Sequence, residues 1–187
     1  MRCMMCERFS FSHICSSCQN NFLQPSLYKR TLPNNIQLIS FYKYDEIKKL
    51  LHTKHSDLGY HIYNILAKLS FAKFADEFHT DEKFFSIAVD DHVRHGYSHT
   101  AILNKHLKSY NITPLYNQLR AQNHLTYSGK SKYFRRTNPR SFKSNTGVKE
   151  NIILVDDIVT TGTTLNEAIE TFGKERVSFC LSLVDLN

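Results

Sequence analysis

The chain has 187 residues, a formal net charge of +7 and a sequence pI of about 9.1. That length suits one α/β domain with a small appendage, large enough to bury its own core, and apolar runs of only a few residues give no membrane-spanning helix. Cysteines occupy the N-terminal stretch where a secretory signal would carry its apolar segment, so a cytoplasmic protein with reduced thiols is expected.

Cys3, Cys6, Cys15 and Cys18 make two Cys-x-x-Cys units with eight residues between them. Each such turn presents two sulfurs to one ion, and a second turn completes a tetrahedron, the arrangement that suits zinc. With all four positions filled by protein, the ion is structural and not catalytic. Disulfides are the alternative, but they conflict with a reducing compartment. His13 lies between the two units as a loop residue or a replacement ligand. The module spans residues 1–30 and serves either as a stability clip or as a grip on DNA; Lys29 and Arg30, just after the cysteines, point to the second use.

From residue 36 to 187 the pattern alternates between helices and strands. Asp45 is expected to cap a helix carrying Ile47, Leu50 and Leu51, and Asp57 another carrying Leu58, Ile62, Ile65, Leu66 and Leu69. Phe84 to Val89 reads as a strand. Ser98 caps a helix with Ile102, Leu103, Leu107 and Tyr110 on one face, and Thr113 to Leu119 is extended, with Pro114 near its start. Cys180 falls in the apolar run Val177 to Val184 and reads as a core residue. Alternation of this kind predicts a mostly parallel sheet flanked by helices.

Arg120 to Lys149 has no clean periodicity and reads as one long loop, a length that is functional or disordered in most domains. No acid occurs between Asp91 and Glu150, while Lys130, Lys132, Arg135, Arg136 and Arg140 cluster there with Tyr127, Tyr133, Phe134 and Phe142. Cations for phosphates and rings for bases are what single-strand nucleic acid binding uses. A solvated basic face, with rings that pin the loop to the core, is the other reading. Lys130, Lys132, Tyr133, Arg135, Arg136 and Arg140 are the candidate nucleic-acid contacts.

Near the C-terminus, Ile152, Ile153, Leu154 and Val155 form a strand suited to burial on both faces, followed by Asp156 and Asp157, then Ile158, Val159, Thr160, Thr161, Gly162, Thr163 and Thr164. The helical pattern Leu165, Ala168, Ile169, Phe172 comes next. A strand, loop and helix start therefore meet here, and the unpaired N–H groups of the helix start, with threonine hydroxyls, suit a phosphate. Two carboxylates beside a phosphate are better used on sugar hydroxyls or on a metal ion that offsets both charges. Ribose 5-phosphate fits that combination.

This run resembles the phosphoribosyl diphosphate (PRPP) motif of type I phosphoribosyltransferases. The resemblance implies that Asp156 and Asp157 hold the ribose hydroxyls, that Thr160 to Thr164 wrap the 5-phosphate, and that Mg²⁺ accompanies PRPP. It also implies the type I phosphoribosyltransferase-like fold, here with a small N-terminal zinc-finger module. The order of parts over nearly the whole chain, from the four cysteines through the basic segment with Arg135-Arg136-Thr137-Asn138 and Phe142 to the PRPP motif, is similar to the ComF family of competence proteins. His95-Gly96-Tyr97-Ser98-His99 stands where that family has Arg-Gly-Phe-Asn-Gln, in the loop facing the diphosphate, and Asp90, Asp91 and His92 replace part of a Pro-Val-Pro lead-in. The family resemblance implies handling of incoming single-stranded DNA in natural transformation, in the cytoplasm or at the cytoplasmic face of the inner membrane, with a competence helicase or other DNA-processing protein as partner.

Three functions are therefore expected in competition. One is a transformation protein that binds single-stranded DNA and PRPP. A second is an active phosphoribosyltransferase, with Asp156 and Asp157 positioning ribose and Arg135 or Lys132 on the leaving diphosphate. A third is a PRPP-sensing nucleic-acid-binding regulator that uses the same site without turnover.

Overall fold

The computed structural model describes residues 1–89, 93, 96–123, 137–145 and 147–186. Among these, the main sheet is built from β1 (Tyr28–Thr31), β2 (Gln37–Lys43), β3 (Phe84–Ala88), β4 (Ile112–Leu115), β7 (Ile152–Val159) and β8 (Val177–Asp185), and a second pairing joins β5 (Leu119–Ala121) to β6 (Phe142–Ser144). The helices are α1 (Ser16–Phe22), α2 (Tyr44–Leu51), α3 (Asp57–Ala67), α4 (Lys73–Glu77), α5 (His99–Lys105) and α6 (Thr163–Phe172).

The sheet order is β1-β2-β8-β7-β3-β4, and every pairing but β1 with β2 is parallel. This is the mostly parallel, helix-flanked sheet that the alternating pattern predicts. Its two central strands carry the most apolar sequence: Ile152, Ile153, Leu154 and Val155 of β7 are each fully buried, as are Cys180, Leu181, Leu183 and Val184 of β8. Each such side chain contributes on the order of 1.5–3 kcal/mol by leaving water. Burial pushes the Cys180 thiol well up, so it stays neutral in the core.

Helices cover both faces. Ile62, Tyr63 and Leu66 of α3 and Ile102 and Leu103 of α5 pack with Ile153 and Val155 on one face. Leu165, Ala168, Ile169 and Phe172 of α6 pack with Ile152 and Leu154 on the other. β3 leads through α5 to its neighbour β4, and β7 leads through α6 to β8 on its opposite side. The two connections diverge between β3 and β7, which opens a crevice at the C-terminal ends of those strands, the place where open parallel sheets bind ligands.

Several boundaries differ from the sequence expectation. Lys43, not Asp45, precedes α2: the Lys43 N–H donates to Glu46 Oε2 at 2.9 Å, and Asp45 sits in the first turn, where its charge meets the positive end of the helix. Ser56, not Asp57, is the N-cap position of α3. Ser98 caps α5 as expected, accepting from the Ala101 N–H at 3.2 Å, but the helix stops at Lys105 and Tyr110 lies beyond it, exposed. The extended stretch expected from Thr113 to Leu119 divides into β4 and β5, with Asn117 between them at φ 57, a left-handed geometry that ends a strand. The expected loop from Arg120 to Lys149 contains β6 and all but the first residue of β5, an antiparallel pair too short to leave an alternating signal in the sequence.

The N-terminal module packs directly on the body. Cys3, Ile14, Cys18 and Leu23 share one apolar cluster with α3 and β2, and the Tyr42 hydroxyl of β2 donates to the Leu23 carbonyl at 2.9 Å. His13 stacks on His61 of α3, ring centroids 4.4 Å apart. That position turns His13 toward the body, a packing role and not a ligand role.

Candidate functional site

The crevice between β3 and β7 is where the sequence motif lands. β7 runs through both acids, so alternation along the strand sends Asp156 and Asp157 to opposite faces. Asp156 lies in register with Ser182 of β8, on the side of Cys180 and Arg140. Its Oδ1 accepts the Asp157 N–H at 2.8 Å, and the side chain is half-buried. Burial first, then the charge of Asp157, pushes the Asp156 carboxyl up to about 8, against the pull of that N–H and of Arg140.

Asp157 is only 6% exposed and faces α3 and α5. Its Oδ2 accepts from the Lys54 ammonium at 3.1 Å and the Tyr63 hydroxyl at 3.2 Å, and His99 Nε2 stands 3.5 Å from the same oxygen. Its Oδ1 accepts the Ile158 N–H at 2.8 Å. A carboxylate offers about four lone-pair sites, so three donors with His99 beside them leave little capacity for a sugar hydroxyl unless a partner moves. Burial alone would raise this carboxyl; the Lys54 charge and then His99 hold it well below the usual carboxylate range. Tyr63 responds in the opposite sense, its hydroxyl pushed well up by burial and by the Asp157 charge, and so it remains a donor.

Lys54 and Tyr63 are residues that the sequence does not single out for this site, whereas His99 belongs to the run placed in the loop facing the diphosphate. The three come from the short turn after α2, from α3 and from the start of α5. Tyr97 locks that assembly: its hydroxyl donates to the Lys54 carbonyl at 2.7 Å, joining the loop before α5 to the turn that carries Lys54. Gly59 makes room for it, since a Cβ there would collide with the Tyr97 hydroxyl and the Thr53 carbonyl.

Beyond β7 the chain turns through Thr160 and Thr161 into α6. Gly162 adopts φ 78, the left-handed geometry that favours glycine, and a Cβ on it would stand 2.9 Å from Leu32 Cδ2 and push that side chain aside. The Thr161 and Thr163 hydroxyls are 2.7 Å apart. The first-turn N–H groups of α6 fall outside the intrahelical ladder, and the Thr163 N–H is directed at Thr161 Oγ1 at 3.4 Å, so N–H and hydroxyl donors gather at this helix start. Arg30 braces the loop from below: its guanidinium bonds Asp185 at 2.6 and 2.9 Å and reaches the Thr160 carbonyl at 3.3 Å. Arg30 is thus committed within the fold rather than offered to DNA.

Arg140 lies at the mouth of the β5–β6 pair, with its N–H held by Glu167 of α6 at 3.0 Å and the next N–H, of Ser141, held at 2.6 Å. The other candidate nucleic-acid contacts, Lys130, Lys132, Tyr133, Arg135 and Arg136, lie outside the described residues, as do Asp90, Asp91, His92 and His95.

At the N-terminus the four cysteine sulfurs all lie within 4.8 Å of one another, with Cys6 and Cys15 Sγ 3.7 Å apart. Tetrahedral zinc with bonds of about 2.3 Å requires sulfurs about 3.8 Å apart, so the cluster has the size for that ion. The Cys15 N–H donates to Cys3 Sγ at 3.3 Å. Burial would raise the Cys3 thiol, but backbone N–H groups around it bring it down to about 6, while burial and its neighbouring sulfurs raise Cys18 to about 12. The first is a ready thiolate, and the second needs a cation to become one.

No protein-family model matches this chain, and no curated protein matches it. Among solved structures it is similar to a hypoxanthine phosphoribosyltransferase from Staphylococcus aureus, at TM-score 0.41 and 12% identity over 66% of this chain and 62% of that one. A hypoxanthine phosphoribosyltransferase from Trypanosoma cruzi matches at TM-score 0.39 and 19% identity over 66% of this chain and 64% of that one. The matched part is less than two thirds of either neighbour.

Proposed function

We propose that the protein binds PRPP in the crevice between β3 and β7 and, in keeping with its resemblance to ComF proteins, handles single-stranded DNA in natural transformation. The observation that carries the reading is the junction of β7 and α6: a helix N-terminus and the Thr160 to Thr164 loop meet Asp156 at the point where the sheet connections diverge. The loop and the helix start take the 5-phosphate, and Asp156 takes a ribose hydroxyl. Asp157 joins the ribose only if Lys54 gives way, so in the free protein it serves chiefly to hold Lys54 and His99. Asp156 would be the protein carboxylate offered to a Mg²⁺ ion accompanying PRPP, and that ion would offset the charge of the diphosphate.

Cys3, Cys6, Cys15 and Cys18 hold a structural zinc ion in a module of about residues 1–30, docked on a phosphoribosyltransferase-like domain over 36–187. DNA is drawn by the basic segment that begins at Arg120, with Lys130, Lys132, Tyr133, Arg135, Arg136 and Arg140 as its contacts.

The test combines both ligands. Calorimetry of wild type with PRPP and Mg²⁺ is compared with a Thr161→Val, Thr163→Val variant, and the affinity for fluorescent single-stranded DNA is followed against salt, with and without PRPP. Binding of PRPP that the double substitution abolishes, together with steeply salt-dependent DNA binding, is the expected result. Absence of DNA binding at modest salt removes the transformation role, and diphosphate release in the same samples reports turnover.

A further inference from the structure

The crevice poses a charge problem. PRPP carries phosphate at both ends, and the α6 end has backbone donors for one of them. In sequence, the stretch between β3 and α5 holds Asp90 and Asp91 against one arginine, Arg94, and no lysine, so a second anionic group gains from a further cation.

We propose that Lys54, held by Asp157 and by Tyr97, is the residue that binds the diphosphate end of PRPP. The inference rests on the PRPP reading above and deepens it. The 5-phosphate cradle lies at α6, on one face of the sheet, whereas Lys54, Tyr63 and His99 converge from the other face on Asp157, the immediate neighbour of Asp156. A ribose seated on Asp156 with its 5-phosphate at α6 therefore directs its C1 substituent away from α6, toward the side of Lys54.

Lys54 is fitted for this in three respects. Its ammonium has three donors and spends one on Asp157 at 3.1 Å. Its side chain remains 23% exposed, whereas that of the acid it pairs with is 9% exposed. Its backbone is fixed by the Tyr97 hydroxyl at 2.7 Å, so the loop before α5 and the cation move as one. Asp157 is then a positioning residue: it aims Lys54 and offsets the cost of burying the cation near His99. This explains why a carboxylate of the motif has its lone pairs engaged by protein donors instead of standing open to sugar.

The experiment compares two ligands that differ only at C1. PRPP and ribose 5-phosphate are titrated with Mg²⁺ into wild type, Lys54→Met, Lys54→Arg and the Lys54→Met, Asp157→Asn double variant, the last to avoid leaving a buried carboxylate without its counter-ion. Thermal melts verify folding. A fall of about tenfold or more in the ratio of PRPP affinity to ribose 5-phosphate affinity in both Met-containing variants, with that ratio kept by Lys54→Arg, is expected for a lost charged contact. Equal losses for the two ligands, or no loss for either, overturn the inference, because Lys54 would then be only a support for the fold. If wild type binds neither ligand, the PRPP reading itself has failed and takes this inference with it.

Discussion

Arg30 and Asp185 join the first and last strands of the main sheet through a two-pronged contact, Nε to Oδ2 at 2.6 Å and Nη2 to Oδ1 at 2.9 Å. The same guanidinium reaches the Thr160 carbonyl, so the loop between β7 and α6 is tied to a strand that lies 130 residues earlier. Asp185 is nearly buried and Arg30 is about a quarter exposed, which screens part of the attraction. Arg30→Met is expected to cost about 1–2 kcal/mol in a urea titration, and Arg30→Lys to recover only part of it, since an ammonium cannot reproduce the fork. Equal stability of the Lys and wild-type proteins would show that the fork geometry is irrelevant.

Gly59→Ala sets two effects of opposite sign against each other. Alanine in a helix normally gains up to about 1 kcal/mol over glycine. Here the new methyl meets the Tyr97 hydroxyl and the Thr53 carbonyl, and overpacking of that kind costs about 1–3 kcal/mol. Backbone is one of the obstacles, so the clash prevails and the variant melts lower than wild type. Tyr97→Phe gives up the bond to the Lys54 carbonyl and should therefore cost less in the Gly59→Ala background than in wild type, since there it also removes one of the two obstacles.

Asp156 predicts a pH dependence of stability whose sign follows from its environment. Its folded value, about 8, lies above the ordinary 3.8, so the folded protein keeps a proton that the unfolded chain releases. Stability from this group is fully present below about pH 4 and declines as pH rises toward 8. Asp157 works in the opposite sense: its lowered value adds stability above about pH 4 that is lost as pH falls. Asp156→Asn should therefore match wild type near pH 4 and exceed it by about 1–2 kcal/mol at pH 8 without ligand. Denaturant midpoints that stay parallel across that range would contradict the raised value.

Metal removal probes the cysteine cluster. Purified protein is expected to carry about one zinc per chain by elemental analysis, and a strong chelator should lower the melting temperature by several degrees or more. Since Cys3, Ile14, Cys18 and Leu23 share a cluster with α3 and β2, the loss should appear as a shift of the whole transition and not as a separate early melt. Cys18→Ser should behave as the chelated protein does, and protein without metal that melts unchanged would exclude a structural ion.

What lies close together along the chain was legible from the sequence. The two Cys-x-x-Cys turns, the buried strand before Asp156, the glycine turn and the apolar face of α6 are each complete within about twenty residues, and local geometry alone determines them. The partition of the two acids was only half legible: alternation along a strand separates them, but the pattern did not reveal that the strand continues through Val159. The environment of Asp157 was decided by tertiary structure. Lys54 and Tyr63 stand 103 and 94 residues away from it in sequence, and a lone lysine or tyrosine carries no mark of the carboxylate it will meet. Those contacts exist because the sheet order sets β7 beside β3 and lays α3 and α5 across the same face, and burial then makes each polar group find its partner.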